Sequence, residues 1–227
     1  MTTETERRKS KVFLVDDHPL VREHLTALLQ READLEVCGE AADGSTARSL
    51  IARQEPDLVI LDISLKRSNG LELLKDLKEL RPKLPVLVLS MHDETLYAER
   101  ALRAGAMGYI TKEEATVSVL LAVRKVLAGE VYLSARMAGR IMQKMVSGGA
   151  DRPGSPVELL ADRELEVFQL IGRGKGTRQI AEEMRLGIKT VESYKARIKE
   201  KLRVSDGNEL LQHAIHWVQS LPSQGPP

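Results

Sequence analysis

A doubly wound α/β sheet of five parallel strands, followed by a small all-α domain, is the fold class this sequence predicts. Three observations carry that expectation. Residues 11–128 alternate five short apolar runs with five amphipathic stretches of helical period, the pattern of parallel strands joined by covering helices. Residues 157–220 keep a helical period throughout, with no β-branched alternation. Between them GGADRPGSP (148–156) is polar and rich in Gly and Pro, a linker by composition.

The five strands read KVFLVD (11–16), LEVCG (35–39), DLVILD (57–62), PVLVLS (85–90) and MGYIT (107–111), with helices near 18–30, 44–54, 70–81, 94–104 and 114–128. DLVILD and PVLVLS are apolar almost throughout, as central strands buried on both faces should be. Their last residues, with Asp16 and Asp17 after the first strand, then share one edge of the sheet. Open α/β sheets bind ligands outside that carboxyl edge. After residue 128, SARMAGRIMQKMV (134–146) reads as a helix, so residues 129–156 form a linker with a helical first part.

Composition narrows the class further. The chain has 227 residues, 42% apolar and 30% charged, enough for two ordinary domains. Aromatics are 3%, so Leu, Val, Ile, Ala and Met build the core. Cys38 is the only cysteine, which excludes an internal disulfide and a cysteine-rich zinc site. No run of about 18 uncharged apolar residues occurs, so no membrane-spanning helix and no membrane partner are expected. MTTETERRKS is charged and lacks the apolar core of a signal peptide, and a cytoplasmic location is expected. The net charge of +1 conceals an asymmetry. Residues 11–128 carry 16 Lys and Arg against 19 Asp and Glu, a net of −3, while residues 173–203 carry 10 against 4, a net of +6. A polyanion partner is expected for the C-terminal part alone.

The strand tips carry the first chemistry. Asp16, Asp17 and Asp62 converge, and three carboxylates at one spot stay ionised only beside a cation. Mg²⁺ suits them, since it takes a few carboxylate oxygens with waters and phosphate oxygens. A carboxylate can also be the nucleophile toward a phosphoryl donor. Lys112 and the Ser90 hydroxyl would then offset charge on the transferred group. VDDHP, LDISLKRSNG, SMHDE and AGAMGYITK, in this order, resemble the flavodoxin-like receiver domain of two-component response regulators over residues 11–128. The resemblance implies Asp62 as phosphoacceptor, and Asp17 as a direct metal ligand with Asp16 acting through water. It implies the Ser64 carbonyl as the third protein ligand, Lys112 on the phosphate, and Ser90 with Tyr109 as the switch pair. Lys66 stands where that family usually has proline, adding charge beside the site. His18 reads as a helix-start residue, not as a ligand or phosphoacceptor.

The basic segment carries the second chemistry. ADRELEVFQLI (161–171) starts with Asp162 as a cap, GRGKG interrupts the period, and Thr177 caps a short second helix. A turn containing Gly187 leads to a third helix that buries Val191, Ile198 and Leu202. Two helices joined by a short Gly-containing turn form a helix-turn-helix, whose second helix can enter the major groove. Lys189, Thr190, Glu192, Ser193, Ala196 and Arg197 then face DNA, with Thr177, Arg178, Lys195, Lys199 and Lys201 flanking. GRGKGT lacks the spacing and the preceding strand of a P-loop, and reads as a helix end. LLADRELEVFQLI, GTRQIAEEM and IKTVESYKARIKEKL resemble the LuxR-type helix-turn-helix domain over residues 157–220, and the whole chain resembles the NarL/FixJ class. Glu192 and Tyr194 depart from the basic residue and histidine many members carry. Residues 206–219 form a last amphipathic helix, a dimer contact in that family or a core helix anchored by Trp217.

The expected function is a non-enzymatic transcription regulator. A sensor histidine kinase or a small phosphodonor phosphorylates Asp62 with Mg²⁺, and the chain then binds double-stranded DNA as a homodimer. An aspartyl-phosphate phosphatase would need a carboxylate two residues after Asp62, where Ser64 stands. A receiver never phosphorylated would make the chain a constitutive DNA binder.

Overall fold

This computed structural model describes residues 8–65, 69–91, 94–146 and 156–220. The chain divides into two compact units, Met1–Gln143 and Lys144–Pro227.

The first unit holds strands β1 (Ser10–Val15), β2 (Leu35–Ala41), β3 (Leu58–Leu61), β4 (Val86–Ser90) and β5 (Gly108–Thr111). All pair in parallel in the order β2-β1-β3-β4-β5. Helices α1 (Pro19–Gln30), α2 (Gly44–Gln54), α3 (Gly70–Leu80) and α4 (Glu94–Arg103) make the four crossovers, and α5 (Ala115–Leu127) follows β5. Side chains alternate across a strand, so Val12, Leu14, Leu58, Ile60, Leu87, Leu89 and Ile110 form one buried face with Leu25 and Leu29 of α1 and Val119, Val123 and Val126 of α5. The alternate residues Phe13, Val15, Val59, Leu61 and Val88 are buried toward the other face, where α2, α3 and α4 place Ile51, Leu74, Leu77, Ala98 and Ala101. Each of the Val, Leu, Ile and Phe side chains among these contributes about 1.5–3 kcal/mol on burial.

Local chemistry sets the helix starts. Pro19 opens α1, where its missing N–H costs nothing. The Asp43 carboxylate accepts from the Ser45 and Thr46 amides at the start of α2, and Asn69 Oδ1 accepts from the Leu71 and Glu72 amides at the start of α3. A Cβ on Gly70 would overlap the Asp62 carbonyl oxygen and Ile63 Cα, so only glycine lets α3 start this close to the strand tip.

Strand limits differ by one or two residues from the sequence pattern. β1 and β3 end at Val15 and Leu61, leaving Asp16 and Asp62 just past the ladder. β2 runs on to Ala41 through a register shift opposite Val12 and Phe13. The segment expected to begin a linker at 129 is instead joined to the sheet. Tyr132 bridges Gly108 of β5, its N–H donating to the Met107 carbonyl at 2.9 Å while the Tyr109 N–H donates to its carbonyl at 3.0 Å. Helix α6 (Ala135–Val146) follows, with Met137 buried. Lys66 and most of the 148–156 linker lie outside the described residues.

The second unit holds a 3₁₀ turn (Pro156–Leu159) and helices α7 (Asp162–Gly172), α8 (Thr177–Met184), α9 (Ile188–Leu202) and α10 (Gly207–Ser220). Asp162 and Thr177 are the first helical residues rather than caps. Ala161 and Gly176 hold the cap positions, and their amides donate to Glu164 and Gln179 three residues on. The turn between α8 and α9 uses Arg185, not Gly187, as its left-handed residue (φ 52°). Gly187 has φ −70° and merely precedes α9. Gly172 touches α10, where a Cβ would overlap the Ala214 carbonyl, and Trp217 packs on Phe168 with ring centroids 5.4 Å apart.

Candidate metal centre and nucleic-acid interface

The ends of β1 and β3 and the turn after β5 bring the first group together. Ligand atoms of Asp16, Asp17, His18 and Asp62 all lie within 4.8 Å of one another. Lys112 enters the same cluster, its Nζ 2.6 Å from Asp16 Oδ2 and 2.7 Å from Asp62 Oδ2. Asp62 is 1% exposed, and its Oδ1 accepts the Ser64 amide at 2.7 Å. Burial raises the Asp62 carboxyl above the usual carboxylate range, against the opposing charge of Lys112. For Lys112, burial works toward a lower value, but the charge of Asp62 and its hydrogen bonds to Asp16 and Asp62 outweigh it, so the ammonium stands above its ordinary range.

The remaining predicted residues lie on the neighbouring strands. Ser90 ends β4 fully buried and pairs with Thr111 of β5. Its carbonyl accepts the Lys112 amide at 2.8 Å, which fixes Lys112 beside the tip of β4. Tyr109 is buried in β5 opposite Val88. The Ser64 hydroxyl oxygen is buried with no hydrogen-bond partner among the described residues.

Two residues of this site escaped the sequence pattern. His18 precedes α1 as expected, yet its Nδ1 also lies 3.1 Å from Asp16 Oδ1 and 3.0 Å from Asp17 Oδ1. Arg22, one turn into α1, donates from Nη1 to the Asp16 carbonyl at 2.7 Å and so holds the end of β1. Adjacency to the two aspartates was the available signal for His18, and the helical step from His18 to Arg22 was the signal for Arg22.

The donor set suits a hard divalent cation. Three carboxylates supply oxygen ligands at one spot, beside the Lys112 ammonium and with the His18 imidazole nearby. A carboxylate so placed, flanked by a lysine and a strand-end hydroxyl, can take up a phosphoryl group.

The second group lies on α8 and α9. Lys189, Thr190, Glu192, Ser193, Ala196 and Arg197 are all exposed along α9, while Val191 and Ile198 are fully buried beneath them. The Ser193 hydroxyl donates to the Lys189 carbonyl at 3.0 Å. Lys195 Nζ donates to Thr177 Oγ1 at 3.2 Å, tying α9 to the start of α8, and Arg178 is exposed beside it. Lys199 is half-buried. Lys201, expected among the phosphate contacts, has its Nζ 2.6 Å from Oε2 of the buried Glu164, an ion pair that ties α9 to α7.

Both groups lie within stretches of the chain that match known protein families. Residues 12–124 match the response regulator receiver domain family, and residues 158–214 match the luxR family of bacterial regulatory proteins. The oxygen regulatory protein NreC of Staphylococcus carnosus (strain TM300) is 34% identical over 209 residues, covering 90% of this chain and 96% of that protein. RcsB of Salmonella enterica serovar Typhimurium, solved bound to promoter rprA in the presence of the phosphomimetic BeF3-, is 25% identical with a TM-score of 0.61, covering 92% of this chain and 99% of its own. A LuxR-family two-component response regulator from Aurantimonas sp. SI85-9A1 is 33% identical with a TM-score of 0.57 over 61% of this chain and 99% of that one. The chain therefore belongs to the two-component response regulators of the NarL/FixJ class, in which a receiver domain is joined to a LuxR-type helix-turn-helix domain.

Proposed function

We propose that the chain is a transcription regulator switched by phosphorylation of Asp62. The observation that carries this reading is the convergence of Asp16, Asp17 and Asp62 within 4.8 Å, with the Lys112 ammonium 2.7 Å from the Asp62 carboxylate. An Asp62 oxygen forms a bond to phosphorus as the bond from phosphorus to the donor breaks, its electron pair leaving with the donor. The donor is the phosphohistidine of a sensor kinase or a small acyl phosphate. Asp16, Asp17, Asp62 and the Ser64 carbonyl would hold Mg²⁺, which when bound offsets charge on the phosphoryl oxygens. Lys112 already sits on Asp62 Oδ2, so its ammonium is within reach of the new group. The Ser64 amide stays on Oδ1 and keeps the carboxylate oriented. The phosphoryl group adds about −1.5 to −2 charge, draws in the Ser90 hydroxyl, and gives buried Tyr109 a second packing arrangement.

In the same reading α9 enters the major groove. Lys189, Thr190, Glu192, Ser193, Ala196 and Arg197 meet base edges and nearby phosphates, with Thr177, Arg178 and Lys199 on the backbone. Phosphorylation favours a homodimer, whose two linked half-site contacts raise affinity through effective concentration. The regulator works in the cytoplasm, joined across the 148–156 linker. The test is affinity for duplexes selected from random sequence. Acetyl phosphate with Mg²⁺ is expected to tighten binding by the wild type and leave Asp62→Asn unchanged. Affinity indifferent to both would make the chain a constitutive binder.

A further inference from the structure

Glu94 opens α4 and is only 4% exposed, although it carries a carboxylate. A buried carboxylate is costly unless hydrogen bonds replace its water. Here one residue, forty positions away, supplies two of them. The Ser134 amide donates to Oε1 at 3.1 Å, and the Ser134 hydroxyl donates to Oε2 at 2.5 Å. Ser134 also starts α6: its Oγ accepts the Met137 amide at 3.1 Å and its carbonyl accepts the Ala138 amide at 3.0 Å. A single serine therefore holds the first residue of α4 with one set of bonds and the first turn of α6 with another.

The two sides of this contact are anchored differently. Glu94 lies four residues beyond Ser90, whose carbonyl is bonded to the Lys112 amide, and Lys112 is bonded to Asp62. Ser134 lies two residues beyond Tyr132, which is pinned to the edge of β5 by its two backbone bonds. That pairing depends on Gly108, where a Cβ would stand only 3.0 Å from the Tyr132 carbonyl oxygen. A movement of the β4 tip toward Asp62 thus draws on Glu94 while the sheet edge holds Ser134 in place.

We propose that the Glu94–Ser134 contact is a resting-state latch, broken when Asp62 is phosphorylated, that passes the state of the acidic site to the first turn of α6. The latch rests on the phosphorylation reading given above. It places the release step at the start of the helix that leads out of the first unit. Packed contacts of this kind have two discrete arrangements and do not stretch continuously.

The experiment is residue-resolved amide exchange on the full chain, with and without acetyl phosphate and Mg²⁺, while intact mass records the adduct. In the resting wild type the Met137 and Ala138 amides are expected to exchange slowly. Formation of the adduct is expected to speed them about tenfold or more, as the loss of hydrogen bonds to a charged carboxylate implies. Glu94→Ala, a change outside α6, is expected to give the fast rate in both states while still forming the adduct. If Glu94→Ala fails to fold, Glu94→Gln, which cannot accept from both Ser134 donors, is expected to give an intermediate resting rate. An adduct on the wild type with unchanged exchange at Met137 and Ala138 overturns the latch and leaves the phosphorylation reading standing. Wild-type-like slow exchange in the folded Glu94 variants also overturns the latch. Absence of any adduct overturns the phosphorylation reading and, with it, the switching of the latch.

Discussion

Asp62 is a carboxylate held where its charge is least welcome. It is buried, burial raises it above the usual range, and Lys112 offsets that cost only in part. A group whose folded pKa is raised destabilises the fold once it ionises, above its unfolded value of about 3.9. Asp62→Asn is therefore expected to melt at higher temperature than the wild type at neutral pH without divalent cation. The advantage should vanish as pH falls below about 4, where both folded and unfolded Asp62 are protonated. Equal melting temperatures at pH 7 would contradict the burial argument. Lys199 and Lys201, two residues apart, should behave differently. Lys199→Ala is expected to weaken binding to every duplex and flatten its salt dependence, as a lost phosphate contact does. Lys201→Ala should instead destabilise the second unit, because Glu164 is left buried without its ammonium. The loss should be about 1–3 kcal/mol, toward the lower end because the Lys201 side chain is 37% exposed. Denaturant melts and salt titrations of both variants separate these outcomes. Asp16, Asp17, Asp62, Ser90 and Lys112 were legible because each closes or follows a strand, and strand period fixes which edge it reaches. The Lys201–Glu164 and Arg22–Asp16 contacts were not, since nothing in a helical period says which long side chain turns back onto its own domain.

Elements followed from pattern more closely than their ends did. The apolar runs of β3 and β4 and the amphipathic helices between them dictated a parallel sheet, and the order β2-β1-β3-β4-β5 is the doubly wound arrangement expected. Ends depend on single side chains. Asp43 starts α2 by accepting two backbone amides and two hydroxyls, and its hydrogen bonds with Ser45 and Thr46 lower its carboxyl from 3.8 to about 2. A depressed carboxylate contributes stability above its unfolded value and loses it as pH falls through its folded value. Asp43→Ala is expected to cost about 1 kcal/mol at neutral pH. The gap between variant and wild type should narrow as pH falls from about 4 through about 2; a gap undiminished at pH 2 would assign the effect to packing. The α8–α9 turn contains Gly187 as expected, but which of its residues is left-handed depends on local detail of the same kind. Gly187 is the obvious candidate for a left-handed residue, yet Arg185 takes that conformation, because the cap geometry at the end of α8 is set by its amide bonding back to Ala181 and Glu182.

At the scale of the whole molecule, two units with separate cores divide the work. The first is net acidic over residues 11–128, with three carboxylates gathered at one sheet edge, and the second presents a basic helix over a fully buried Val191 and Ile198. That division was legible from charge counts and from the 148–156 composition. The anchoring of residues 129–137 to β5 and α4 was not, because strand addition by Tyr132 and the Glu94–Ser134 bonds join positions far apart in the chain. The central claim is that Asp62 takes up a phosphoryl group at the acidic cluster. Intact mass spectrometry after incubation with acetyl phosphate and Mg²⁺ tests it most directly, beside an Asp62→Asn control and a chelated sample. One phosphoryl adduct, absent from the variant and from the chelated protein, is the predicted result. No adduct on the folded wild type, or an adduct of equal yield on Asp62→Asn, would contradict it.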